Sequence, residues 1–137
     1  MPLEGYDVES VVRTRINQAF FRKTVLASYN FRCCITGLSI AELLVASHII
    51  PWSKDEKNRL NPRNGLCLNA LHDKAFDKGL ISINEKFRII VSSRLKNCTK
   101  LPEKELINKY DGHPISLPNR FLPDGKFLSY HRENIFN

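Results

Sequence analysis

No apolar run in this sequence approaches the length needed to cross a bilayer, so no membrane partner is expected. The opening stretch, MPLEGYDVES, is polar and acidic and lacks the basic and apolar segments of a secretory signal. A cytoplasmic protein is therefore expected. Paired Cys-x-x-Cys motifs are missing as well. Of the four cysteines, Cys33 and Cys34 are adjacent, while Cys67 and Cys98 stand alone. Without a secretory signal disulfides are not expected, and a structural zinc site usually shows two spaced pairs. All four read as small buried apolar residues. There is no internal repeat and no low-complexity segment. Acidic residues are in deficit, 14 Asp/Glu against 21 Lys/Arg, for a net charge of +7. That balance favours a polyanionic partner, and nucleic acid is the first candidate.

What is present suits one domain over 1–137, with 42% apolar residues to build one core. Val8, Val11, Val12, Ile16, Ala19, Phe20 and Leu26 follow helical spacing, which predicts one long helix over 8–29 with Asp7 as its N-cap. CCITGL reads as a short strand entering a turn at Gly37. Leu43 to Ala46 reads as a buried strand. It should end near His48, because Pro51 has no N–H to give a ladder. The polar stretch SKDEKNRLNPRNG is a loop of about a dozen residues, a length that is often functional in compact domains. In GLCLNALHDKAFDKG, Leu66, Ala70, Leu71, Ala75 and Phe76 favour a short helix ending at Gly79. LISI and FRIIVSS form a hairpin around Asn84 and Glu85. PEKELINKY is a short helix, GHPISLP is extended, and PDGKFLSYHRENIF is a closing helix.

His48 thus ends a strand, Asn64 follows 16 residues later in the loop, and His72 lies a further 8 residues on, in the helix. The blocks RKTVLASY, CCITGL, ASHIIPW, NGLCLNALHDKAFDKGLI and SYHRENIF resemble, in order and spacing, the restriction-type branch of HNH (His-metal finger) nuclease domains. The resemblance runs from about Arg15 to Phe136. It implies an α+β fold: a β-β-α metal-nuclease core with a long N-terminal helix, a following hairpin and a C-terminal helix. It also implies a metal-dependent DNA endonuclease, in a restriction or defence system.

The chemistry explains the residue types. Phosphodiester hydrolysis needs an activated water and positive charge against developing oxyanions. A neutral imidazole can take the proton near neutral pH. By the resemblance, His48 is the general base, Asn64 fixes the loop and the orientation of His48, and His72 is a ligand of a divalent metal. Mg2+ is the expected ion, with Mn2+, Co2+ and Ni2+ as alternatives. Many HNH enzymes carry a metal-binding Asp just before the base. Here that residue is Ser47, a poor ligand, which makes Asp77 a further candidate. Five residues turn about 140° from His72, however, so Asp77 reaches the same ion only if the helix ends near Phe76. Capping of the turn before Gly79 is the other reading of Asp77. Asp73 is expected to face solvent.

Lys54, Lys57, Arg59 and Arg63 lie in the loop beside this site and are expected to contact phosphate. Between Lys86 and Lys100 there are five basic residues and no acidic one. Arg88, Arg94, Lys96 and Lys100 could track a backbone or belong to a solvated hairpin. Trp52 could stack on a base or plug the core beneath the loop. His131 is expected to be structural, and His113 has no evident partner. The departure at Ser47 keeps open a second reading, a nucleic-acid-binding module on the HNH scaffold that has lost cleavage. A fold this small has little room for base readout, so an upstream recognition domain in a longer protein is expected. A double-strand cut could come from a homodimer or from two successive nicks.

Overall fold

The spacing of apolar residues near the start produces α1 (Val8–Ser28) in the computed structural model, which describes residues 8–137. The cap expected at Asp7 lies outside the described residues. Phe21, Val25 and Leu26 in the second half of α1 are buried, while Val8, Val12, Ile16 and Phe20 are exposed. Only the second half therefore packs on the core, and the first half overhangs.

The segment 33–37, expected as a strand, is a set of turns. Gly37 donates its N–H to the Cys33 carbonyl and takes a positive φ of 79°, so the segment closes on itself. Cys34 alone donates across to the Cys67 carbonyl. β1 (Leu44–His48) ends where Pro51 predicts. It pairs antiparallel with β2 (Gly65–Asn69), in a register that puts His48 opposite Gly65 and Ser47 opposite Leu66. β2 corrects the expectation that the helix begins at this point. All five of its residues are buried because the ladder lies between α1 on one side and the next helix on the other. A strand buried on both faces shows no alternation.

That next helix is α2 (Ala70–Asp77), capped by Asn69, whose side chain accepts from the His72 N–H. It ends at Gly79, with φ of 73°, as predicted; a Cβ there would collide with the Ile135 carbonyl. β3 (Ile81–Ile83) and β4 (Ile89–Val91) form the expected hairpin. The second strand stops short of Ser93 because Ser92 caps a single turn, α3 (Ser93–Lys96). α4 (Leu101–Leu106) and α5 (Gly125–Asn134) complete the described chain. The core joins Phe21 and Val25 of α1 to Leu66 and Leu68 of β2, Phe76 of α2, Ile83 and Leu128. Cys33, Cys34 and Cys67 are buried within it, and all four cysteines are free. Among the described residues no helix is long and apolar enough to cross a membrane.

Candidate active site

His48 is held on three sides. Its ring lies face to face with Phe21 of α1, centroids 4.2 Å apart and planes within 9°. The Trp52 ring meets it edge-on at 5.6 Å. Its Nε2 is 2.7 Å from the Arg59 carbonyl. A carbonyl can only accept, so Nε2 carries the proton and Nδ1 is left as the unprotonated nitrogen. No described residue bonds Nδ1. Burial lowers the pKa of His48, opposed by the Arg59 bond and by the Asp73 carboxylate, so the ring is neutral at pH 7.

The stack on Phe21 depends on Gly65. A Cβ at 65 would come within 2.6 Å of Val25 and 3.0 Å of Phe21, so only glycine lets α1 approach this closely. Residues paired across a ladder point to the same side, which puts His48 on the α1 side and Ser47 on the α2 side. Ser47 is buried and its Oγ has no hydrogen-bond partner.

Asn64 is fully buried. Its Oδ1 accepts from the Ile50 N–H, and its amide donates to the carbonyls of Ile50 and Asn58. The loop is pinned further by Asn58 to Asp55 and Asn61 to Asn58. Asn58 sits next to Arg59, so Asn64 holds the stretch whose carbonyl orients His48.

His72 is turned elsewhere. It is buried, with Nδ1 accepting from the Asn69 amide and Nε2 donating to the Leu106 carbonyl, both at 2.7 Å. Ligation of a metal would require it to give up one of these bonds. α2 continues through Asp77, so Asp77 does not share the His72 face. It lies one turn beyond Asp73 instead, where side chains are neighbours. Packing, and then the Asp73 carboxylate, push the Asp77 carboxyl up to about 6. Asp73 was expected in solvent but is half-buried, and its charge reaches both Asp77 and His48. Among the described residues no group of three or more His, Cys, Asp or Glu could hold a metal ion. Asp73 and Asp77, one turn apart on α2, are nevertheless the donor type that suits Mg2+ or Mn2+, which bind through one or two carboxylates and keep their waters.

The remaining expected residues divide into two groups. Arg59 is half-buried, donates Nε to the Trp52 carbonyl and places its guanidinium 4.9 Å from the Trp52 ring centre. Trp52 is thus half-buried beside His48 rather than plugging the core. Lys54 and Arg63 are exposed, and Arg63 reaches the Leu122 carbonyl. Arg88, Arg94 and Lys96 are exposed on the hairpin and α3, away from this loop in the chain. Arg88 bonds the Gly112 carbonyl, and Lys96 lines a separate cleft with Val91, Asn108 and Asp111. His113 is exposed against Tyr110. His131 is structural: buried, stacked on Phe76, accepting from Ser82 and donating to the Phe76 carbonyl. Phe21 and Asp73 are the residues of the site that sequence reasoning missed. Asp73 had a signal, its i,i+4 spacing with Asp77; Phe21 had none beyond its helical phase.

Residues 33–84 match the HNH endonuclease family. No curated protein matches the chain. Among solved structures it is similar to a modification-dependent TagI restriction endonuclease, with 19% identity and a TM-score of 0.60, over 85% of this chain and 38% of that one. The chain thus spans well under half the length of that structure. The blocks ASHIIPW and NGLCLNALHDKAFDKGLI and the β-β-α unit fall within the family match, so residues 33–84 are similar to HNH endonucleases and sit within an α+β fold.

Proposed function

We propose that the chain is the cleavage domain of a metal-dependent DNA endonuclease of a restriction or defence system, working in the cytoplasm. The observation that carries this reading is the state of His48: a neutral ring, proton fixed on Nε2 by the Arg59 carbonyl, with Nδ1 free to act as base. In this reading Nδ1 takes a proton from water as the water oxygen bonds to phosphorus. The P–O3′ bond breaks, and the 3′ oxygen is protonated from solvent. The imidazolium so formed is stabilised by Asp73, whose charge already favours it. Asn64 keeps the loop, and hence the tautomer, fixed. Asp73 and Asp77, with Ser47, the residue before His48, would hold the divalent ion, while His72 ties α2 to Asn69 and the Leu106 carbonyl. A bound divalent ion supplies charge against the phosphorane-like oxygens and the leaving 3′ oxygen. Lys54, Arg59 and Arg63 contact DNA phosphates, and Arg88, Arg94 and Lys96 add affinity without sequence preference. The share of the TagI structure left uncovered supports a separate recognition domain in a longer protein, and a homodimer would give two cuts.

The second reading, a DNA-binding module without cleavage, is favoured by the engagement of both His72 nitrogens. One experiment separates the two. Plasmid incubated with the protein and Mg2+ or Mn2+ should be cut, and His48→Ala should cut roughly 10²–10⁴-fold more slowly with an unchanged circular dichroism spectrum. No cutting by the wild type under either metal supports the binding module; undiminished cutting by the variant removes His48 from the mechanism.

A further inference from the structure

The overhanging half of α1 leaves a groove between itself and the loop that carries Arg59. Its volume is about 350 Å³, and the α1 residues Ser10, Val11, Thr14, Arg15 and Gln18 line it together with Trp52 and Arg59. A second cleft of about 210 Å³ continues along the helix past Gln18 to Phe21 and His48. The two share Gln18, and the groove therefore ends at the proposed base.

One helix face serves both regions, and its chemistry changes along its length. Phe21 and Val25 are apolar and buried where the face meets the ladder. One and two turns earlier, the same phase carries Gln18, Arg15 and Thr14. A face meant to pack on the loop would have stayed apolar. Arg15 has no ion pair or hydrogen bond among the described residues, and Arg59 is bonded only through Nε to a carbonyl and lies over a ring. No acidic residue lines either cleft. The groove therefore offers two guanidiniums with no acidic partner, an amide, two hydroxyls and an indole beside Val11.

We propose that this groove holds the nucleotide next to the scissile phosphate, with Arg15 on a backbone phosphate and Trp52 against the base or sugar. The inference rests on the nuclease reading, and it lies outside the segment matched by the HNH family, since α1 precedes residue 33. The volume suits about one nucleotide rather than a duplex. The strand thus bends into the groove while its neighbours stay outside.

Trp52 is the single tryptophan of the chain, so its emission reads occupancy directly. A short fluorescein-labelled DNA oligonucleotide is titrated in EDTA, with anisotropy and Trp52 emission recorded together. Arg15→Gln should weaken binding about five- to tenfold near 0.1 M salt and lower the salt slope by about 0.9. Arg13→Gln is the control, because Arg13 points about 200° away on the helix and its guanidinium is already engaged by Glu9 and the Ser10 hydroxyl; it should leave affinity within about twofold. Wild-type emission should change with the oligonucleotide but not with inorganic phosphate alone. Equal losses for both arginines, or oligonucleotide binding without a change in Trp52 emission, would overturn the groove. If these binding results hold and no metal supports cutting, the nuclease reading fails and the groove stands; if cutting depends on His48 but Arg15→Gln binds normally, the groove alone fails.

Discussion

Gly65 faces His48 directly across the β1–β2 ladder, and it is the missing side chain at 65 that lets the Phe21 ring lie flat on the imidazole. His48 is thus positioned by a residue 27 positions earlier in the chain, through the smallest possible partner.

Gly65→Ala should therefore act at a distance. The added methyl meets Val25 and Phe21, so α1 must shift, at a cost of roughly 1–3 kcal/mol for overpacking. Phe21→Leu removes the stack but keeps the bulk, and should cost less in stability while still slowing cleavage. Urea unfolding and plasmid-cutting rates on the two variants check this. A Gly65→Ala protein as stable and as active as the wild type would show that the helix approach is not needed.

Stability should fall in mild acid. His131 is buried neutral and its pKa is lowered to about 4 from 6.5, by burial first and by Arg132 as well, against the Phe76 bond. A depressed histidine takes up a proton in the unfolded chain before it does so in the folded one. Its contribution is therefore intact above pH 6.5 and is lost as pH falls from 6.5 to about 4, on the order of 3 kcal/mol in all. His48 acts in the same direction. Asp77, raised to about 6, acts in the opposite one, gaining stability as pH falls from 6 toward 3.8. Its exposure makes that offset small. Thermal unfolding between pH 7.5 and 4.5 should show the fall, and His131→Gln should flatten it; a profile unchanged by that variant would take His131 out of the acid transition.

The proposed metal ligands can be told apart by calorimetry with Mn2+. Asp73→Asn and Asp77→Asn should each weaken binding at least about tenfold. His72→Gln should lower stability, because it breaks the bonds to Asn69 and Leu106, yet leave Mn2+ affinity within about threefold. Ser47→Asp should tighten binding by adding a carboxylate on the α2 side of the ladder. A large loss from His72→Gln with little from the aspartates would return His72 to the metal shell.

Much of this arrangement is legible in the sequence because local chemistry dictates it. Helical spacing gives α1, Pro51 ends β1, Gly79 ends α2, and short β-branched runs give the hairpin. β2 was hidden because Leu66, Cys67 and Leu68 are covered on both faces, which erases the alternation that marks a strand. The pairing of His48 with the loop was legible through Asn64, although the atom that orients the ring, the Arg59 carbonyl, was not. The surroundings of His72 were illegible for a different reason. Its Nε2 partner, Leu106, lies 34 residues away, and only the packed structure brings the two together.

α5 and the residues after it also brace α2. His131 donates to the Phe76 carbonyl, Arg132 to the Ile83 carbonyl, and the Asn137 N–H to the Gly79 carbonyl. The first and third of these bonds fasten the end of α2 from some 50 residues downstream, and the second fastens β3. Contacts of such long sequence separation slow folding, and on a ribosome the downstream partner emerges after α2. The helix that carries Asp73 and Asp77 is thus braced at its end by residues far downstream of it. Without α5 the carbonyls of Phe76 and Gly79, at the end of that helix, would lose these partners.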